Sequence, residues 1–216
     1  MTYNNLATSA AALPEDSSVL ATLRSLVPHR HLSLTEGKYI AERQANRLRA
    51  LFEIDDPVFP HEIITDMPRI KVVFDVDLPV SGSAHWNGSN WVIVLNALES
   101  SARQRFSMAH EFKHVLDHSV KHFLYHDSLR DSASKQAEQI ADYFAGCLLM
   151  PKIHIKRLFY QGVQKPSELS VRFQVSAKAV QFRLYQLGVT QEVDRCNRWG
   201  IRPTYYRDKA LAGVSA

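Results

Sequence analysis

The sequence predicts an α+β fold, in which a small, partly antiparallel sheet lies beside a pair of helices and a helical C-terminal subdomain follows. Three observations support this prediction. Apolar residues recur at helical spacing after residue 33, and those in 70–74 alternate as they do in a strand. A hairpin with aromatic flanks is indicated at 85–95. After Asn96 the spacing is mostly helical.

The first long helix is predicted to begin at Ser33. Ser33 and Glu36 fit a capping box, in which both side chains bind free backbone amides at a helix start. The helix is predicted to end at 55–57, where two aspartates precede a proline. A short second helix is predicted at about 60–66, before the sheet begins.

The sheet is predicted from two segments. Alternating apolar residues indicate a strand at 70–74, and the additional Val73 predicts burial on both of its faces. The turn sequence at 87–90 predicts a hairpin between 85–86 and 91–95. The 91–95 strand is a candidate edge to which an extended substrate could add, and the alternative is that it only closes the sheet.

The composition excludes several classes of protein. Of 216 residues, 45% are apolar and 22% are charged, which excludes a disordered, collagen-like or coiled-coil chain. Two cysteines are too few for a disulfide framework. No apolar run approaches the ~18 residues of a membrane span, and residues 1–15 lack the Lys or Arg of a secretory signal. We therefore expect a soluble, cytoplasmic protein without a membrane partner.

Charge divides the chain into two parts. Residues 152–216 hold 12 Lys and Arg against 4 Asp and Glu, whereas residues 1–151 hold 14 against 18. Such an asymmetry predicts an anionic partner for the basic end. The predicted organisation is a partly flexible N-terminal extension at 1–32, a domain with a candidate metal site at 33–151, and a basic helical subdomain at 152–216.

The most specific motif is His110-Glu111-Phe112-Lys113-His114. Four residues correspond to about 400° of helix, so both imidazoles project from nearly the same face and can share one metal ion. Glu111 is rotated by ~100° from His110 and would lie beside the metal, where a general base for water belongs. We predict His110 and His114 as metal ligands and Glu111 as the catalytic base. The alternative is a helix with two solvated histidines.

Histidines continue at every fourth position, at 118, 122 and 126. Each step of four drifts by ~40°, so His126 would point ~160° away from His110 even on a continuous helix. A ladder of ligands is therefore not expected. His122 and His126 are predicted at the surface or in a loop, and His118 is predicted to support the metal ligands or to lie near the helix end.

A third ligand is predicted on a separate helix, because a catalytic zinc site uses three protein ligands and leaves one position for water. Glu138 and Asp142 share one stripe of an otherwise apolar helix. Glu138 is the candidate ligand, and Asp142 would accept the free ring N–H of a zinc-bound histidine. The alternative is that both carboxylates are solvated. One zinc ion per chain is predicted, with manganese as the alternative metal because two histidines and a carboxylate suit both.

This HExxH motif, followed by a carboxylate pair on a later helix, resembles the gluzincin arrangement of zinc peptidases. The stretches 103–114 and 141–151 are similar to the core of the ImmA/IrrE family of metallo-endopeptidases, and the resemblance spans about 36–188. The family often has Leu-Gly where this chain has Phe112-Lys113, and often Asn at position 142.

The resemblance implies a zincin-type helix pair in a zinc metallopeptidase domain at 33–151. It implies that His110, His114 and Glu138 hold zinc and that Glu111 is the catalytic base. It also implies limited cleavage of a helix-turn-helix transcriptional repressor, which relieves repression in a phage, mobile-element or stress-response setting.

The alternative is a non-proteolytic transcriptional regulator or toxin–antitoxin component that binds DNA or a repressor and keeps zinc for structure. Three ligands beside a glutamate argue against it, since structural zinc normally has four protein ligands. In the peptidase, Glu111 would take a proton from the attacking water and pass it to the leaving amine. Tyr143, His118 and His126 are equal candidates for stabilising the oxyanion, and no residue is assigned to substrate binding.

In the basic segment, two short amphipathic stretches at about 167–188 resemble a helix-turn-helix, with Ser176 as the predicted cap of the second helix. Lys178 and Arg183 would belong to the polar face of that helix. The alternative is a helix pair that packs against the metal-site domain, and packing or protein docking is favoured over contact with nucleic acid. Aromatic residues among arginines at 195–207 either stack on nucleic acid or lie against the domain.

Overall fold

The computed structural model describes residues 18–127 and 132–189. This part of the chain is α+β, with nine helices and one mixed three-stranded sheet. The elements in chain order are α1 (Val19–Arg24), α2 (Leu34–Leu51), α3 (Glu62–Thr65), β1 (Ile70–Asp75), β2 (Gly82–Trp86), β3 (Trp91–Asn96), α4 (Ser101–Asp117), α5 (Lys121–Leu124), α6 (Ala133–Leu149), α7 (Lys152–Tyr160), α8 (Pro166–Phe173) and α9 (Ala177–Gln186). None of these helices combines the length and the apolar character needed to cross a membrane.

β3 is the central strand of the sheet, whose order is β1-β3-β2. β1 runs parallel to β3, with Ile70 opposite Trp91, and β2 runs antiparallel to it, with Trp86 opposite Trp91. The predicted hairpin is confirmed, and in its turn the Asn87 side chain accepts a hydrogen bond from the Asn90 amide. The prediction of an open edge on β3 is wrong, because β1 and β2 occupy both edges of that strand.

In the described chain, helices pack on one face of the sheet, where α4 contacts β2 and β3. Ile93 and Leu95 are fully buried on that face, whereas Val73 on the other face is 46% exposed. The prediction that β1 is buried on both faces is therefore wrong. A run of apolar residues does not reveal how many helical layers cover a sheet, because that depends on distant parts of the chain.

α2 begins as the sequence predicts. The Ser33 hydroxyl accepts a hydrogen bond from the Glu36 amide, and the Glu36 carboxylate accepts one from the Ser33 amide, which completes the capping box. The helix ends at Leu51, before the predicted aspartate pair. Beyond the helix the chain folds back toward the buried Arg49, whose guanidinium donates to the Asp56 carbonyl. α3 is a single turn and is shorter than predicted.

The main apolar core lies where α2, α4 and α6 meet. Phe112 of α4 and Phe144 of α6 are fully buried, with ring centroids 6.2 Å apart. α2 and α6 come close at Gly37, where a Cβ atom would lie 2.6 Å from Ile140 Cδ1. Glycine at this position therefore allows α2 to hold α6 close, and α6 carries the predicted third metal ligand.

The C-terminal helices share this core. Leu169 and Phe173 of α8, with Val180 and Leu184 of α9, are fully buried in the same apolar cluster as Phe144. Burial of these four side chains explains why α8 and α9 are amphipathic in sequence. The predicted domain boundaries are a separate matter and stay a prediction.

The helices predicted at 167–188 are present. α8 is followed by Gln174 in the left-handed region at φ 52°, and the Ser176 hydroxyl caps α9 by accepting from the Ala179 amide, as predicted. The identity of this pair as a helix-turn-helix stays a prediction. The predicted loose start at 1–15 and the aromatic and arginine residues at 195–207 lie outside the described residues.

Candidate metal centre

α4 presents two histidines one turn apart. The helix begins after Ser100, whose hydroxyl accepts a hydrogen bond from the Arg103 amide, and runs without interruption to Asp117. The Nε2 atoms of His110 and His114 are 3.0 Å apart, and their ring centroids are 4.8 Å apart. The spacing of four residues therefore brings the two rings together, as helix geometry requires.

α6 adds a carboxylate to this pair. Glu138 lies near the start of α6 and places Oε2 3.3 Å from His110 Nε2 and Oε1 3.4 Å from His114 Nε2. The side chains of His110, His114 and Glu138 are 14%, 22% and 30% exposed. The structure thus brings together the three residues predicted as ligands and leaves each of them partly exposed.

The donor set fits a divalent metal ion. A tetrahedral site with metal–ligand distances of about 2.0–2.2 Å places neighbouring ligand atoms about 3.3 Å apart. The two histidine Nε2 atoms are 3.0 Å apart, and each lies 3.3–3.4 Å from a different carboxylate oxygen of Glu138. Two imidazole nitrogens and a carboxylate oxygen suit zinc, and they suit manganese as well. These three residues can therefore hold a metal ion, and we call His110, His114 and Glu138 the metal cluster.

Asp142 orients the first histidine. Its Oδ1 lies 2.9 Å from His110 Nδ1, and a carboxylate accepts, so Nδ1 donates a hydrogen bond to Asp142 while Nε2 faces Glu138. Burial lowers the pKa of His110, but hydrogen bonds to Asp142 and Glu138 outweigh it and raise the pKa to about 10. Burial raises the pKa of Glu138, but both histidines hold it well below its ordinary value. Metal binding must therefore displace a proton from this cluster.

Glu111 lies next to the cluster and faces β2. Its side chain is buried, and a Cβ atom at Gly82 would lie 3.1 Å from Glu111 Cγ. Burial raises the pKa of the Glu111 carboxyl, and the neighbouring His110 and His114 oppose this shift. A carboxylate with a raised pKa beside a metal cluster has the properties of a general base that later returns its proton.

The match to a family of known proteins covers more than half of the chain. Residues 65–185 match the model of the Peptidase M78 family, described as the IrrE N-terminal-like domain. The chain belongs to this family. This result confirms the resemblance to the ImmA/IrrE family, and membership in Peptidase M78 suggests a metallopeptidase.

One solved structure similar to this chain is that of a Mycobacterium tuberculosis transcriptional regulator. The two are 17% identical, with a TM-score of 0.45, and the similarity covers 82% of this chain and 54% of that one. The chain therefore spans about half the length of that structure. No curated protein matches the chain.

In this Peptidase M78 chain, the remaining predicted residues lie around the metal cluster or away from it. His118 packs edge-on against Trp91, with ring centroids 4.8 Å apart, and burial lowers the pKa of His118. Tyr143 donates to Glu42 at 3.1 Å, and burial raises its pKa to about 12. His126 is exposed. The proposed roles of these residues in supporting ligands or an oxyanion stay predictions.

Sequence reasoning missed a second polar cluster on α4. Lys113, where the family often has Gly, is fully buried, and its ammonium donates to Asp117 and, at 2.7 Å, to Gln44 of α2. Tyr125 donates to the other oxygen of Asp117. Burial lowers the pKa of Lys113, and Asp117 opposes this shift. We call Lys113, Asp117, Gln44 and Tyr125 the lysine network.

A further polar contact lies next to the lysine network, at the end of α4. Arg24 of α1 donates to the carbonyls of Val115 and Leu116, each at 2.9 Å, and so caps the C-terminal end of that helix. The sequence does contain an indication of this network, since Lys113 and Asp117 are opposite charges four residues apart on the same helix. The contact of Gly82 with Glu111 left no comparable signal, because it depends on how β2 crosses α4.

Proposed function

We propose that the chain is a zinc-dependent endopeptidase that makes limited cuts in a protein substrate. The observation that carries this proposal is the convergence of His110, His114 and Glu138, with ligand spacings of 3.0–3.4 Å, beside the buried Glu111. Family membership supports it, because Peptidase M78 suggests a metallopeptidase. Three protein ligands leave one position for water, which is the pattern of catalytic zinc and not of structural zinc.

The residues of the cluster have separate tasks in this proposal. When bound, zinc supplies Lewis acidity, which polarises a peptide carbonyl and lowers the pKa of water. His110, His114 and Glu138 hold the ion, and Asp142 fixes the His110 ring through Nδ1. Glu111 Oε accepts a proton from the attacking water and delivers it to the leaving amine. Burial of Glu111 between α4 and β2 keeps it close to the reacting atoms.

We propose a helix-turn-helix transcriptional repressor as the substrate, so that cleavage relieves repression, and a cytoplasmic setting in a phage, mobile element or stress response. The support is the ImmA/IrrE resemblance of 103–114 and 141–151 together with family membership. The resemblance also supports zinc over manganese as the bound metal.

The second candidate is a regulator that binds DNA or a repressor without cutting it. One observation weakens its DNA-binding form. Arg183, predicted on the polar face of α9, is 1% exposed and donates to the Met150 carbonyl at 3.2 Å. A buried arginine cannot reach a phosphate. The exposed basic residues of the pair are then Arg172 on α8 and Lys178 on α9. Protein docking or packing is therefore favoured over nucleic acid for this helix pair.

The decisive experiment compares the wild type with Glu111→Gln. Both proteins are loaded with zinc and incubated with a purified helix-turn-helix repressor from the same source, and fragments are identified by mass spectrometry. We expect Glu111→Gln to bind zinc normally and to lose cleavage by about a hundredfold or more, since the base is removed and the ligands remain. The chain provides a matched control in Glu62→Gln, because Glu62 also follows a histidine but is exposed on α3.

Two outcomes would contradict the proposal. Cleavage that persists in Glu111→Gln removes Glu111 as the base. A wild type that holds zinc and binds the repressor tightly without cutting it favours the regulator.

A further inference from the structure

β1 has an open edge in the described part of the chain. The strand pairs with β3 on one side, and no described strand pairs with it on the other. It contains neither proline nor glycine, and its apolar side chains are unusually accessible, with Val73 46% and Phe74 55% exposed. Val76, just beyond the strand, is 57% exposed. An accessible apolar edge of this kind readily pairs with another strand unless it is covered.

The backbone of β1 decides which residues can bond to an added strand. The Trp91 amide donates to the Arg69 carbonyl at 2.8 Å, and at the far end of the strand the Ala97 amide donates to the Asp75 carbonyl at 2.9 Å. Odd-numbered residues of β1 therefore direct their N–H and C=O groups toward β3. Because this direction alternates along a strand, Val72 and Phe74 direct theirs outward, to the open edge.

The side chains of β1 are self-complementary. Lys71, Val73 and Asp75 lie on the face that the described helices leave uncovered, since they pair with Val92, Val94 and Asn96 of β3. If two copies of β1 run antiparallel with Val73 opposite Val73, each Lys71 lies opposite Asp75 of the other copy. The same register places Val72 opposite Phe74, which is the hydrogen-bonded pair that the outward groups require. The outward backbone groups of Val72 and Phe74 and the charges of Lys71 and Asp75 therefore favour the same register.

The other face of β1 has room for the side chains of an added strand. Phe74 borders a cleft of about 500 Å³, which is also lined by Met108 of α4 and by Val171 and Val175 of the α8 region. In the register above, Val72 of a second copy packs beside Phe74 at the mouth of this cleft. β1 is the edge of the sheet that lies away from the metal cluster. Glu111, which lies next to that cluster, packs against β2 at the other edge.

We propose that two copies of this chain associate through β1, in antiparallel register centred on Val73, to form a continuous six-stranded sheet. The second copy is the occupant because its own β1 supplies the charges that the register requires. Two cross-strand ion pairs and four backbone hydrogen bonds between single strands form a small interface, so the dimer dissociates on dilution. This association is independent of the metal site and of the proposed peptidase activity.

The test measures self-association of the full chain by sedimentation equilibrium over a wide range of protein concentration. Lys71→Asp places like charges opposite each other at both ends of the paired strands, and we expect the dissociation constant to rise about tenfold or more. Val72→Pro removes an outward N–H without touching the bonds to β3, and we expect a rise of similar size. Lys156→Asp makes the same charge change on the exposed face of α7 and is the matched control.

A mixing experiment tests the register itself. Lys71→Asp alone places Asp opposite Asp75, and Asp75→Lys alone places Lys opposite Lys71, so each variant is expected to dimerise weakly. In a mixture of the two, every pair across the interface is again Asp opposite Lys, and dimers should form with an affinity near that of the wild type. The amides of Val72 and Phe74 should exchange with solvent more slowly as the wild-type concentration rises.

A wild type that stays monomeric at all concentrations overturns the proposal. A dimer that Lys71→Asp and Val72→Pro leave unchanged uses another surface, which also overturns it. If the Val72 and Phe74 amides are protected in the monomer as well, another segment of the same chain covers β1 and no second copy binds there.

Discussion

The metal cluster and the lysine network are neighbouring polar groups on the same helix, and they differ in how their charges are satisfied. His110, His114 and Glu138 are partly exposed, and the side-chain nitrogen and oxygen atoms of the three residues lie 3.0–3.4 Å from one another in pairs. Lys113 and Asp117 are buried, and protein groups from α2 and the segment after α5 complete their hydrogen bonds. Two imidazoles and a carboxylate that converge and remain partly exposed are suited to a metal ion, whereas an ion pair that is buried and fully hydrogen-bonded within the protein is suited to a structural role.

Breaking one partner in each cluster should therefore give different results. In the lysine network the loss appears in the free energy of unfolding, because a buried charge is left alone. In the metal cluster the loss appears in metal affinity, because these side chains already contact solvent and each other.

Lys113→Met should destabilise the protein by about 3–5 kcal/mol, because the Asp117 carboxylate would remain buried without its cation. The measurement is the free energy of unfolding in urea. The double variant Lys113→Met with Asp117→Leu should recover most of this loss, since a buried ion pair can be replaced by apolar side chains at little cost.

The double-mutant cycle also separates structure from function. If the double variant recovers stability and binds zinc as the wild type does, the lysine network supports α4 without tuning the metal. Additive losses in the two single variants would show that Lys113 and Asp117 are not coupled, contrary to their contact in the structure.

Glu138→Ala should lower zinc affinity by about a hundredfold or more, because it removes one of three ligands. Zinc bound per chain is measured after dialysis against a weak chelator. Glu62→Ala, an exposed glutamate outside the cluster, is the control. The free energy of unfolding of the metal-free Glu138→Ala protein should fall by less than that of Lys113→Met, because Glu138 is partly exposed whereas Lys113 and Asp117 are buried. An unchanged zinc content would exclude Glu138 as a ligand.

The same contrast explains how far the sequence could predict the molecule. His110, His114 and the Ser33 capping box depend on spacing within one helix, and the structure has both arrangements as expected. Burial of Lys113 and of Arg183 depends on which helices pack against α4 and α9. Charge alone suggested solvent exposure for Arg183, and the long-range contact with Met150 overrode that suggestion.

The sheet illustrates the same limit. Alternation and the turn at 87–90 predicted strands and their hairpin, since these are short-range signals. The order β1-β3-β2 is decided by a parallel pairing between strands that are separated by a third strand in sequence. For the strand at 91–95 the sequence left an edge position and closure of the sheet as alternatives, because an apolar strand is suited to either.

Substitution of Asp142 should have the smallest of these effects, and it tests how the partner of His110 influences zinc affinity. Asp142→Ala should lower zinc affinity by about 10–100-fold, because the Nδ1 proton of His110 loses its acceptor and the ring its fixed orientation. Asp142→Asn should cost less, since an amide oxygen can accept the same hydrogen bond. Asn is also the residue that the family often has at this position. Asp55→Asn, at an exposed aspartate outside the cluster, is the control.

The pH dependence of zinc affinity distinguishes orientation by Asp142 from an effect of its charge. The pKa of His110 is raised to about 10, so both ring nitrogens are protonated at neutral pH, and the Nε2 proton must leave when zinc binds. Zinc affinity of the wild type should therefore rise with pH through the neutral range, by about tenfold per pH unit for one released proton. In Asp142→Asn the pKa of His110 falls, because a carboxylate that favoured the charged ring is gone, and the rise should level off at a lower pH. Chelator competition at a series of pH values measures both curves. Parallel curves for the two proteins would mean that Asp142 does not set the protonation of His110, and its contribution would then be orientation alone.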